Sequence, residues 1–191
     1  MKGIIRAETT IVKRKNKIGK KTKRKKDETM SEIKSEIDAW ISQLQHSESV
    51  DARADAAEEL GEFGGEAAIE ALRTALHDPA DQVNVSAILA LGELRVADAA
   101  SQIEAFLSVP DPNRRGAAVV ALGQIGGPDA SSLLMPLSAD PISAVRGAAA
   151  WALGTLGDGA AYDVLVQLSQ DADLDVADAA AEALRRLRRT L

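Results

Sequence analysis

The tripeptide Ala90-Leu91-Gly92 returns as Ala121-Leu122-Gly123 and again as Ala152-Leu153-Gly154, 31 residues apart each time. One period earlier stands Glu59-Leu60-Gly61, and one period later Ala183-Leu184-Arg185. A fixed period of this size constrains the fold more than any other property of the chain, because it requires stacked copies of one small supersecondary unit. Other columns keep the same spacing. Pro79, Pro110 and Pro141 form one; Phe63, Leu94, Ile125, Leu156 and Leu187 form a second. Leu72, Ile103, Leu134 and Leu165 form a third, which Ile41 extends backwards.

Each period reads as two helices, here termed A and B. Asp111 suits an N-cap, and Pro112 suits the first helical position, where its missing N–H has no partner to lose. Ala118, Leu122 and Ile125 follow at i, i+4 and i+7, the stripe of an amphipathic helix, and Gly126 can adopt the left-handed conformation that ends it. A B helix is expected over 129–139, stopped by Asp140-Pro141. Pro136 lies inside it, out of register with every other proline, and predicts a kink or a shortened helix because it removes a donor and crowds the preceding turn. Upstream, Ile33, Ile37, Ile41 and Leu44 share one face of a B helix with no A helix before it, a half repeat over 32–46. Four full repeats start near Val50, Asp81, Pro112 and Ser143 and fill 50–173. A final A helix is expected over 175–191. The expected class is all-α: an α-solenoid of antiparallel helix pairs, about ten helices in one right-handed stack.

Composition agrees, with 46% hydrophobic but only 3% aromatic residues, as suits an Ala/Leu-rich helical stack. Cysteine is absent, which excludes thiol chemistry. No uninterrupted apolar run reaches bilayer length, and the N-terminus lacks the apolar core of a secretory signal, so a cytoplasmic protein is expected. Four glycines, Gly61, Gly92, Gly123 and Gly154, fall inside A helices at a cost of about 1 kcal/mol each relative to alanine. Their recurrence predicts close approach of a neighbouring helix.

The segment from Val145 to Gly154, Val-Arg-Gly-Ala-Ala-Ala-Trp-Ala-Leu-Gly, resembles the short HEAT repeats of the phycobilisome-lyase-like type. The likeness covers residues 32–191 and implies a HEAT-like solenoid with its B helices on the concave side. For function it implies adaptors and scaffolds, with a few enzymes among them. It also implies that Arg53, Arg115 and Arg146, with Asp78, Asp140 and Asp171, join neighbouring repeats by charge-assisted hydrogen bonds across the turns.

Charge divides the chain at Met30. Residues 1–29 hold twelve Lys and Arg against three Asp and Glu, whereas 30–191 hold eleven against 26. The first block shows no helical or strand period, and its self-repulsion predicts a disordered tail. Such a tail reads either as an arm for nucleic acid or an acidic partner, or as sequence upstream of a start at Met30; the abrupt change of composition favours the second. The acidic body repels polyanions, so nucleic acid is expected as a partner only through the tail. Its charge also matches a protein from a high-salt cytoplasm, where salt screens self-repulsion.

Catalytic material is scarce. His46 and His77 stand at equivalent B-helix ends, one period apart, where imidazole complements the helix dipole; a metal centre needs a third ligand and closer approach. No nucleophile elbow, zinc signature or phosphate-binding loop is present. No catalytic residue, metal or cofactor is therefore expected. The expectation is a monomeric, non-catalytic adaptor or scaffold that binds another protein on a long face of the stack. A bilin-lyase-like or other small-molecule-handling protein is the alternative, although the aromatic residues Trp40, Phe63, Phe106, Trp151 and Tyr162 fall in different columns. Two candidate surfaces follow. Leu89, Val120 and Trp151 make an apolar ridge on the A helices, in a column that ends in Glu58 and Glu182 as the capping repeats of a solenoid require. Met135 and Val166 make a small apolar spot on the B face.

Overall fold

In a computed structural model of the protein, the described residues are 30–190. The basic block 1–29 lies outside them. The described chain is helical throughout, with ten α-helices. The B helix α1 (Met30–His46) leads, followed by the pairs α2 (Val50–Phe63) with α3 (Glu66–Ala75) and α4 (Asp81–Glu93) with α5 (Ala100–Glu104). The pairs α6 (Pro112–Ile125) with α7 (Ala130–Leu134) and α8 (Ser143–Leu156) with α9 (Tyr162–Leu168) come next, and the A helix α10 (Leu174–Thr190) closes the order. The outermost helices begin slightly earlier than the periodicity predicts, at Met30 and Leu174.

Each A helix packs on the A helix of the adjacent repeat, α2 on α4, α4 on α6, α6 on α8 and α8 on α10. The columns of the repeat become the layers of the core. Leu60, Leu91 and Leu153 of the A helices and Leu72, Ile103, Leu134 and Leu165 of the B helices are completely buried. Each such burial contributes about 2–3 kcal/mol. The local start signals work as expected: Asp111 accepts hydrogen bonds from the N–H groups of Asn113 and Arg114. Gly126, at φ +74°, donates its N–H to the Leu122 carbonyl at 2.9 Å and ends α6.

The recurring glycines are places of contact. A Cβ built on Gly61 would lie 2.7 Å from the Ala90 Cβ, one on Gly92 would lie 2.6 Å from the Ala121 Cα, and one on Gly123 would lie 2.6 Å from the Ala152 Cβ. Gly154 meets Ala183 in the same way. The glycine of each tripeptide therefore receives the alanine of the next, and this pairing sets how closely A helices approach. The series is bounded by charge: Glu59 stands in the alanine column and Arg185 in the glycine column.

The B helices are less regular than their sequence predicts. The third is α-helical only over Ala130–Leu134 and continues as a 3-10 helix over Met135–Ala139, with Pro136 in its first turn. The second shows the same change, from α over Ala100–Glu104 to 3-10 over Ala105–Ser108, and there the residue in the proline's column is Ala105. Proline is thus compatible with the tightening and is not its general cause.

Candidate interaction surfaces

The turns at one edge of the stack carry the strongest polar geometry. Arg53 donates Nε to Asp78 Oδ2 at 2.8 Å and Nη2 to Oδ1 at 2.9 Å, while its Nη1 reaches back to the Ser47 carbonyl at 2.9 Å. Arg115 repeats this fork on Asp140 at 2.8 and 2.9 Å and reaches the Val109 and Pro110 carbonyls, both at 2.8 Å. Arg146 holds Asp171 at 2.7 and 2.8 Å and reaches the Asp140 carbonyl at 2.9 Å. Each guanidinium so ties the turn before its repeat to the turn after it. Its hydrogen bonds hold Asp78 and Asp171 below the usual carboxylate range. At Asp140, burial pushes upward, but the Arg115 fork and the Ile142 N–H outweigh it and the carboxyl is again lowered. The second repeat has neither charge: Asn84 and Val109 occupy the two columns. Buried Asn84 instead donates to the carbonyls of Ala75, Leu76 and Asp78, at 3.2, 3.2 and 2.9 Å. Losing both partners together leaves no unpaired buried ion. These groups are occupied in holding turns and form no site.

The two histidines come together along one cleft of about 430 Å³, with Leu44, Thr74, Ala75 and Asp78. His46 Nδ1 lies 3.1 Å from the Ser42 carbonyl, and the Asp78 carboxylate is held by Arg53. Among the described residues, no three His, Cys, Asp or Glu side chains converge as metal ligands. In the last helix Arg185 and Arg186 both pair with Glu182, at 2.8 and 3.3 Å, and Arg188 and Arg189 stand in its last turn.

A shallow cleft of about 320 Å³ lies at the A–B turns of the second to fourth repeats, lined by Arg95, Gln124, Gly126, Gly127, Ser131 and Asp158 among others. Arg95 was not singled out by sequence reasoning, yet it carries the only positive φ of a non-glycine residue among those described, +52°. Its column otherwise holds Gly64, Gly126 and Gly157, all at positive φ. The interruption of that glycine column was the available signal. A left-handed arginine costs about 1–2 kcal/mol.

The candidate apolar residues sit on two faces. Leu89, Val120 and Trp151 are half-buried, with part of each side chain packed on the core and part left accessible on the A helices. The outward positions around them change along the stack. On α2 they are Asp51, Asp55, Glu58 and Glu62; on α4, Gln82, Val85, Leu89 and Glu93. On α6 they are Asn113, Val120 and Gln124, with Gly116 buried between them, and on α8 Ala144, Gly147, Trp151 and Thr155, none of them charged. A Cβ on Gly116 would meet nothing within 4 Å, and one on Gly147 only Val176 at 3.9 Å. Unlike the tripeptide glycines, these two make no close contact with a neighbouring helix, although Gly116 itself is buried and Gly147 half-buried. On the B-helix side, Met135 packs on the core, and Val166, one period later, is half-buried. Ridge and spot therefore belong to different helices of the repeat, the ridge to the A helices and the spot to the B side.

Among the described residues no helix is long and apolar enough to cross a membrane. Comparison with known proteins places this geometry. The family model for HEAT repeats matches residues 37–122 and 101–185. The structure of the complex of CpcE and CpcF of phycocyanin lyase from Nostoc sp. PCC7120 is similar at a TM-score of 0.69 and 27% identity, covering 80% of this chain and 65% of that one. This chain thus spans less than two thirds of that neighbour's length. A designed armadillo repeat protein in complex with the peptide (KR)4 is similar at a TM-score of 0.59 and 20% identity, over 82% of this chain and 86% of that one. An engineered protein follows at 0.55 and 22%, over 85% of each; these last two likenesses concern the fold alone. No curated protein sequence matches the chain. With two overlapping matches that together take in all four full repeats, and with the helix pairs they require present in the fold, the chain belongs to the HEAT-repeat family.

Proposed function

We propose that the protein is a monomeric, cytoplasmic, non-catalytic adaptor that binds another protein on the convex ridge of Leu89, Val120 and Trp151. The observation that carries this reading is the uncharged band on α6 and α8 around the half-exposed Trp151, on a body that is otherwise strongly acidic. A contiguous apolar surface with an aromatic anchor is a usual mark of a partner site, and stacked repeats offer such faces by their geometry. Proteins retained on immobilised full-length chain should be lost from a folded Trp151→Glu variant and kept by a Met135→Glu, Val166→Glu variant. The reverse pattern moves the site to the concave face.

A second reading rests on the 27% identity to the phycocyanin lyase complex: the chain handles a tetrapyrrole. Titration with phycocyanobilin decides between the two. An adaptor leaves the pigment's absorbance unchanged, whereas a lyase-like protein shifts it.

A further inference from the structure

The cleft at the A–B turns is built by three successive repeats, with Arg95 from the second, Gly126-Gly127-Pro128 from the third and Asp158 from the fourth. Two helix spacings, about 20 Å, separate the first turn from the last. Arg95 is exceptional twice over. It holds φ +52° in a column where Gly64, Gly126 and Gly157 stand, a place after a helix that glycine takes without strain. Its backbone closes α4, with the Arg95 N–H on the Gly92 carbonyl at 3.0 Å and the Val96 N–H on the Leu91 carbonyl at 3.1 Å, and neither bond needs a guanidinium. Every other arginine from Arg53 to Arg146 pairs with a carboxylate, whereas Arg95 has no ion pair among the described residues, on a body with more than twice as many acidic as basic groups. The rest of the cleft is equally uncommitted. Gln124 forms no side-chain hydrogen bond, its Oε1 being buried without a partner, and the Gly127 N–H meets no acceptor among the described residues. At the far end the Asp158 carboxylate accepts the Ala160 N–H at 2.9 Å. That bond and the Ser131 hydroxyl hold it below the usual carboxylate range, so it is ionised, and it too has no ion pair among the described residues.

We propose that this cleft seats an extended segment of a partner protein, with an acidic side chain of that segment on Arg95 and a basic one on Asp158. A left-handed arginine in a glycine column is strained, and strain of this kind persists where it serves a ligand. A carboxylate fits the guanidinium fork through two parallel hydrogen bonds. The Gly127 N–H and the Gln124 amide belong to the repeat between the two charges and can meet the segment's backbone without giving up any bond within the chain. The span sets the spacing: about 20 Å between turns, less the reach of the side chains, leaves about four extended residues between the charges. Gln124 and Thr155 lie one turn beyond Val120 and Trp151 on α6 and α8, so the cleft adjoins the ridge proposed above, a reading on which this inference rests. It sets a charged anchor beside the apolar one and gives the partner a recognisable pattern.

The peptide acetyl-Glu-Ser-Gly-Ser-Gly-Lys-amide, titrated into the isotope-labelled full-length chain, should shift the NMR signals of the Arg95 Nε–H and the Gly127 N–H to saturation. Glutamine in place of the peptide's glutamate should weaken binding about tenfold or more. The sign of that change is decisive. Non-specific attraction to an acidic body grows when a peptide loses a negative charge, so equal or tighter binding of the glutamine peptide overturns the proposal. Arg95→Gln, which keeps the left-handed backbone and removes the charge, should lose the response and melt as the wild type does. Arg95→Gly should lose it too and melt no lower, because relief from the left-handed conformation offsets the freedom that glycine gives the unfolded chain. A midpoint several degrees lower in both variants shows that Arg95 is kept for the fold and overturns the inference. Asp158→Asn should weaken the peptide and leave the response to sodium acetate unchanged. Acetate itself should need a concentration about tenfold higher or more, since it holds one anchor only; equal affinity for acetate overturns the extended segment in favour of a free carboxylate. No native partner enters this titration, and the peptide carries no apolar residue for the ridge, whereas the Trp151→Glu retention test reads the ridge; one can fail while the other stands.

Discussion

At Gly123 a single hydrogen atom decides the spacing of two helices. A methyl group there would lie 2.6 Å from the Ala152 Cβ and 3.0 Å from its Cα, so the backbone of α8 has to move. Gly123→Ala should therefore destabilise by about 1–3 kcal/mol through overpacking, even though alanine is favoured over glycine by about 1 kcal/mol in a helix. Gly116→Ala should do the opposite. It lies in the same helix α6, its added methyl meets nothing within 4 Å, and only the propensity gain of about 1 kcal/mol remains. Thermal or urea unfolding of the two variants checks the signs. Equal shifts would mean that helix approach is not set at the tripeptide. Only the first of these two glycines was legible in the sequence, through the period; Gly116 and Gly147 are also 31 apart, but the column says nothing about what faces them.

Between elements, the arginine–aspartate forks hold the turns in register. Asp140→Val alone should cost about 3 kcal/mol, because it strands the Arg115 guanidinium in a mostly buried place. Adding Arg115→Asn reproduces the Asn84 and Val109 pair of the second repeat, so the double variant should recover part of that loss, giving a clear coupling energy in a double-mutant cycle. Purely additive losses would show that the fork is not a unit. The pH dependence follows from the same geometry. Asp78, Asp140 and Asp171 are lowered in the folded state, so each contributes stability that is present above the unfolded carboxyl value of about 3.9 and is lost as pH falls below it towards the folded value. The melting midpoint of the wild type should fall more steeply below about pH 4 than that of the double variant, which lacks one of the three carboxylates.

The described residues form a one-dimensional stack in which each A helix packs chiefly on its neighbouring A helices and on adjoining B helices. Stability is then a sum of repeat and nearest-neighbour contributions. Deleting residues 112–142 removes one period, takes Arg115 and Asp140 out together, and presents Gly92 with Ala152 in place of Ala121. The shortened chain should stay helical by circular dichroism and melt cooperatively at a lower temperature. Deleting 112–139, which breaks the register by three residues, should not fold. If both deletions melt alike, the stack is not held by its period. Glu59 and Arg185, in the alanine and glycine columns, confine the close helix contacts to the five A helices between them.

The period alone determined the class, the number of repeats, the helix order and most of the core, because the repeated columns are a direct image of which side chains stack on which. It also located the helix-approach glycines and the arginine–aspartate columns, since those contacts recur at a fixed offset. Tertiary structure decided what repetition cannot encode. The change to 3-10 geometry after α5, where no proline stands, the left-handed backbone of Arg95 and the uncrowded backbone at Gly116 and Gly147 depend on the packing of particular neighbours. The ridge belongs to the same class: Leu89, Val120 and Trp151 share a column, but how far each stays exposed is fixed by the helices on either side, and one chain's sequence does not state that burial.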